Sequence, residues 1–308
     1  IYLGRGEGGL YKELIDHLET ELYEDLSLSV RRDASASLAN TIVEEEANGS
    51  SPADVFWSID VGALGTIARE GIGTQLPTEL TDLVGPQFHD GKRRWVGIGG
   101  RARAIPFNTD EYAAADVPDS VMAIPETEGF GDAMGWAPTY GAFQSFVTAM
   151  RVVEGESATR EWLRAMLDAG TSRYAGEFLV TNAVGGGELS AGFANHYYAL
   201  RLQAAKPNAP LELAFTSGDA GSLINASGAV VLDSASDRQL SVDFLRHFLT
   251  KEVQACLAES AYEYPLVPGV EPPGSLPSIE ALDPPDVDLT RLAEVRPTLR
   301  ILREEGVL

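Results

Sequence analysis

The 308-residue chain has a single cysteine, Cys256, so it holds no internal disulfide and no cysteine-rich metal site. Cys256 falls in a helical pattern with Val253 and Leu257, where a small buried thiol is expected. No uninterrupted apolar run approaches the roughly 20 residues needed to span a bilayer. No charged-then-apolar leader opens the chain, because Ile1 begins an apolar stretch; a targeting segment removed earlier is left open. Lysine is scarce as well. Against 46 acidic residues stand 19 arginines and only 4 lysines, giving a net charge of −23. That balance argues against nucleic acid or an anionic membrane surface as partner. An acid-rich, lysine-poor composition resembles the solvated surface of a halophile protein, and Glu44-Glu45-Glu46 reads as a solvated helix face. There is no internal repeat.

What the chain does have is enough apolar content for a folded core and enough length for two domains. Ile1-Tyr2-Leu3 reads as a short strand, then a glycine turn from Gly4 to Gly9. A helix follows, with Leu10, Leu14, Leu18 and Leu22 on one face. Leu26–Val30 alternates as a strand, 37–47 is helical, and Ala53–Trp57 is a buried strand leading through Asp60 into a helix over 61–69. This β-α-β-α-β-α order implies a largely parallel sheet. Further on, 94–107 reads as a strand carrying Arg101 and Arg103 on one face. Helices are expected from Phe143, over 157–168 with Ser157 as N-cap, and over 177–184 before Gly185-Gly186-Gly187. A strand is expected over 221–232 and a helix pair over 237–261. A tail with eight prolines between Pro265 and Pro297 precedes a last helix at 298–304.

Several stretches carry chemistry. Gly4, Gly6 and Gly9 satisfy G-x-G-x-x-G, with Glu24 and Asp25 near the place of a ribose-binding acid, so a dinucleotide-dependent enzyme is one reading. The same helix start with Arg5 beside it could instead hold a small anion. Asp60, at a strand end and helix start, is either an N-cap or a ligand. Arg101 and Arg103 form an oxyanion fork if buried and surface charges if not. The four histidines, His17, His89, His196 and His247, are scattered and show no ligand spacing.

The stretch with the strongest chemical signal is Ala194-Asn195-His196-Tyr197-Tyr198. It lies between a weak strand (Leu189–Phe193) and a helix-like run. At such a junction two neighbouring phenols can face one crevice, as they could not within a strand. A free phenol has a pKa of about 10 and is a poor ligand at neutral pH. A trivalent hard cation would favour its phenolate. The alternative is a pair of aromatics packing a core.

The ordered motifs Gly4-Arg5-x-Glu7, Ser51–Phe56, Trp95-Val96-Gly97-x-x-Gly100-Arg101-x-Arg103, Pro138-Thr139-x-Gly141-Ala142-Phe143, Asn195-x-Tyr197-Tyr198 and Glu263–Leu266 resemble the ferric-iron-binding proteins that serve ABC transporters. The likeness runs over essentially the whole chain. It implies an α/β, two-lobed periplasmic-binding-protein fold of the class II type. Each lobe would be a mixed, mainly parallel sheet flanked by helices, with hinge strands between lobes that close on the ligand. The lobes would be 1–103 with 227–277, and 104–226 with 278–308. The resemblance further implies an extracytoplasmic monomer, periplasmic or anchored at the cell surface. It would bind Fe³⁺ with a synergistic anion, carbonate or phosphate, and deliver it to an ABC permease without catalysis. Tyr197 and Tyr198 become metal ligands, with Asp60 and Tyr140 as candidates for the remaining positions. Arg101, Arg103, Arg5, Gly141, Ala142 and Asn195 become anion neighbours. The chain departs from the pattern where Gly6 replaces a His found in some members, Ile59 replaces a Glu, and Phe143 stands where others have a Tyr. A same-fold receptor for another small anion or solute remains the alternative.

Overall fold

A computed structural model of the chain describes residues 1–4, 28–127, 130 and 133–308. The glycine turn beyond Gly4, Arg5, the leucine-faced helix, Glu24 and Asp25 lie outside the described residues. The first elements are β1 (Tyr2–Gly4), β2 (Arg31–Asp33), α1 (Ser35–Ala47), β3 (Val55–Ser58) and α2 (Val61–Glu70), with β1 and β3 buried at every position and β2 largely exposed. Of the strand expected over Leu26–Val30, Leu26 and Ser27 lie outside the described residues, 28–30 are not in a strand, and β2 begins at Arg31. Helix α2 is terminated by Gly71, whose φ of 73° is the left-handed cap that a side chain would strain. β4 (Val96–Asn108) is buried at all but one position, consistent with a strand covered on both faces.

The chain divides into two compact units: 1–100, 225–276 and 288–293 form the first, and 101–224, 277–287 and 294–308 the second. In the second unit, β5 (Met134–Trp136) leads to α3 (Gly141–Val153) and α4 (Glu156–Asp168). The N-cap of α4 is Gly155, at φ 93°, and not Ser157; the Ser157 hydroxyl donates to Glu161 instead, at 3.0 Å. Then follow β6 (Ser172–Arg173), α5 (Glu177–Gly185), β7 (Ala191–Gly192), β8 (Ala194–Asn195), α6 (His196–Ala205) and β9 (Leu211–Ala214). β5 pairs in parallel with β6 and β7, while β4 pairs antiparallel with β7, β8 and β9. The core of this unit is aromatic: Trp136, Phe143, Phe146, Trp162 and Phe193 meet edge to face, tilted or stacked at 5.5–6.5 Å.

β10 (Ile224–Val231) returns the chain to the first unit, followed by α7 (Arg238–Phe248), α8 (Lys251–Cys256) and β11 (Tyr264–Pro265). There the strand order is β2-β1-β3-β10-β4, with β11 also on β4. β1 is parallel to β2 and β3, and β10 is antiparallel to β3. Both sheets are therefore mixed. Cys256 is half-buried rather than a core thiol. The proline-rich tail is divided. Its 288–293 stretch packs on α2 in the first unit, close enough that a Cβ at Gly65 would lie 3.0 Å from the Thr290 carbonyl. The tail expected as one piece of the second lobe thus contributes to both units. The last helix, α9 (Val295–Glu304), packs on α3 in the second unit and is tied to it by Thr148 donating to Thr298 at 2.9 Å.

Candidate functional site

The tyrosine pair lies in the first turn of α6, immediately after β8 pairs with β4 through Asn195↔Arg103. His196 anchors this junction: it is fully buried, and the Ala102 N–H donates to its Nδ1 at 3.1 Å. That bond makes it a satisfied core histidine. Tyr197 and Tyr198 follow with 7% and 1% exposure and ring centroids 4.4 Å apart. Asn195 caps the helix by backbone geometry, and its Nδ2 donates to the Tyr197 hydroxyl at 3.2 Å.

A third phenol joins them from α3. The turn Ala137–Tyr140 closes with the Tyr140 N–H donating to the Ala137 carbonyl at 3.0 Å, and Gln144 Nε2 holds the Pro138 carbonyl at 3.2 Å. Tyr140 is the N-cap of α3, and its hydroxyl stands 2.7 Å from that of Tyr198. Burial, then the neighbouring Tyr197 and Tyr140, push the Tyr198 phenol far above its ordinary value. A bound cation would reverse the sign of that environment and draw the phenols into the ionised form.

Two guanidiniums flank the pair. Arg201 lies 4.5 Å from the Tyr197 ring centroid and 5.9 Å from that of Tyr198, and Arg101 lies 5.9 Å from the Tyr197 ring. The reading of the sequence passed over Arg201. The signal was its spacing, four residues after Tyr197 on one helix. Gly141 and Ala142 form the first turn of α3, which its N-cap residue Tyr140 does not cap with its side chain, so its N–H groups point where an anion is favoured.

Arg103 does not join Arg101 as a second prong of an oxyanion fork. Its Nη1 donates to Glu177 Oε1 at 2.6 Å and its Nη2 to the Ala142 carbonyl at 2.9 Å, in a pair with side chains 5% and 0% exposed. A guanidinium buried inside the domain needs a carboxylate more than strand geometry needs a two-arginine face. Glu177 was also missed. Its only mark in the sequence is its place at the start of a helix, where an acid is stabilised by the dipole and is commonly solvent-exposed.

Asp60 belongs to the first unit, where it caps α2 by accepting from the Ala63 N–H at 3.2 Å. Phe143 is a core residue against Trp136, Phe146 and Phe193. Among the described residues no group of three or more His, Cys, Asp or Glu side chains could hold a metal. The oxygen donors gathered in the second unit are phenols.

The family model for the bacterial extracellular solute-binding proteins matches residues 14–282. The chain belongs to that family. This solute-binding protein is 32% identical over 275 residues to the major ferric iron-binding protein of Neisseria meningitidis, covering 88% of this chain and 82% of the relative. It is 29% identical to the Fe(3+)-binding periplasmic protein of Serratia marcescens, over 92% and 83% of the two chains. The crystal structure of iron-bound HitA from Pseudomonas aeruginosa superposes with a TM-score of 0.86 at 28% identity, covering 99% of this chain and 98% of that one. No described helix is long and apolar enough to cross a membrane.

Proposed function

We propose that this solute-binding protein captures ferric iron together with a small oxyanion outside the cytoplasm and passes it to an ABC importer. The observation that carries the reading is the cluster of buried Tyr197 and Tyr198 with half-buried Tyr140, two hydroxyls 2.7 Å apart and two guanidiniums over the Tyr197 ring. Hard oxygen donors suit a hard, highly charged cation. The names of the ferric-binding relatives support the same cargo. In this reading Tyr197 and Tyr198 ligate as phenolates and Tyr140 is poised as a third donor. Arg101, Arg201, Asn195 and the N–H groups of Gly141 and Ala142 surround the anion, carbonate or phosphate. The two compact units are the lobes of the receptor, and it binds and releases without a catalytic step.

Loading the purified protein with ferric ion and bicarbonate tests this. A visible tyrosinate-to-iron charge-transfer band is expected, and Tyr198→Phe should weaken and shift it, while Tyr197→Phe with Tyr198→Phe should abolish it. The affinity loss should exceed the roughly 10–100-fold typical of removing an outer-sphere partner. A colourless wild-type protein after loading overturns the reading. The second reading, a receptor for a small anion alone, is favoured by the uncapped start of α3 beside the arginines. Calorimetric titration with phosphate and carboxylates in the absence of iron separates the two.

A further inference from the structure

We propose that the buried Glu177–Arg103 pair is the positioning device of the phenol cluster, an inference that rests on the ferric reading above. The pair joins four segments that are far apart in sequence. Glu177, at the first position of α5, accepts from Arg103 on β4 through Oε1 at 2.6 Å. Through Oε2 it accepts from the Asn195 N–H at 2.9 Å. Arg103 Nη2 donates to the Ala142 carbonyl in the first turn of α3, and its guanidinium lies 5.1 Å over the Phe146 ring one turn on.

Each end of this chain of contacts stops two residues from a phenol. Asn195 immediately precedes the first turn of α6 and donates to the Tyr197 hydroxyl. Ala142 lies two residues after Tyr140, whose hydroxyl meets that of Tyr198. Glu177 and Arg103 therefore hold the two loops that carry the phenols in one register. The carboxylate has both oxygens engaged by donors, and the guanidinium is buried under Phe146. A pair desolvated to this degree contributes little to net stability compared with an apolar pair of the same shape. What it supplies is directionality: two donors at fixed angles to one carboxylate, which apolar packing does not specify. Arg103 is thereby withdrawn from the anion, leaving Arg101 and Arg201 as the guanidiniums beside the phenols.

The decisive variant is Glu177→Gln, which keeps the shape but turns an amide NH₂ toward either Arg103 or the Asn195 N–H, donor against donor. The ferric charge-transfer band, iron release to a competing chelator, and thermal unfolding of the iron-free protein are measured together. A shifted band and about 10–100-fold weaker retention of iron in a cooperatively folded variant support the assignment. An unchanged band and unchanged retention in a folded variant overturn it. Should Glu177→Gln not fold, the apolar pair Arg103→Met with Glu177→Leu replaces both charges at once. The same loss is expected there, and wild-type iron binding overturns the assignment. Failure of both variants to fold marks the pair as a stability element and also overturns it. A wild-type protein without a band would instead overturn the ferric reading itself.

Discussion

At Asp60 the residue is defined by its backbone place. It follows β3 with extended φ and ψ, opens α2, and accepts from the Ala63 N–H. Asn caps helices about as well as Asp, whereas Ala does not. Asp60→Ala is therefore expected to lower the unfolding free energy by about 1 kcal/mol and Asp60→Asn to leave it nearly unchanged, read by denaturant midpoints. Arg201 shows the limits of residue-by-residue reading. In a sequence it is one more arginine on a polar helix face. In the fold it lies over both phenol rings, where a cation offsets the negative charge that ligating phenolates and an anion bring. Arg201→Gln should thus weaken ferric retention most at low pH, where proton competition for the phenols is strongest, measured by iron release against pH.

Among the elements, β4 carries both its packing and its site residues on one strand. Its first half is glycine-rich because other side chains occupy the space. A Cβ on Gly99 would lie 1.9 Å from Glu263 Oε2, and that carboxylate accepts from the Ser227 hydroxyl at 3.0 Å. Gly99→Ala must displace this buried contact and is expected to cost about 1–3 kcal/mol, seen as a lower thermal midpoint. Its second half holds Arg103 and pairs with β8, so the strand fixes where the tyrosine turn begins. Helix α6 then places Tyr197 and Tyr198 on neighbouring positions of one turn, and α3 delivers Tyr140 from its own N-cap. Strand-to-helix junctions are where open α/β sheets leave groups free to meet a ligand.

For the whole molecule, proton linkage and charge set the expected behaviour. Burial, with Tyr197 and Tyr140 beside it, raises the Tyr198 phenol in the iron-free protein, and burial raises that of Tyr264. Folding thus favours the neutral forms. That stability is fully present below the unfolded phenol value of about 10 and is lost as pH rises beyond it. The iron-free thermal midpoint should hold through neutral pH and fall above about pH 10. Ferric loading at neutral pH should release on the order of two protons per iron, one for each phenol ionised, measured in weakly buffered solution. The net charge of −23 adds self-repulsion, so raising ionic strength from low salt should raise the thermal midpoint.

The sequence alone determined the local parts. Period-two and period-3.6 patterns placed β3, β4, β10 and the helices α1 to α5 within a few residues. The order of motifs marked the tyrosine turn and the loop from Pro138 to Ala142. These features are legible because their causes lie within a few residues of one another. Only the tertiary structure decided which partner each charged side chain takes. Arg103 could have faced an anion or a carboxylate; Glu177, 74 residues away, settles it. Tyr140 reaches Tyr198 across 58 residues, and 288–293 leaves the rest of the tail to pack on α2. Such choices depend on desolvation and on donors brought together by folding, and no local pattern encodes either.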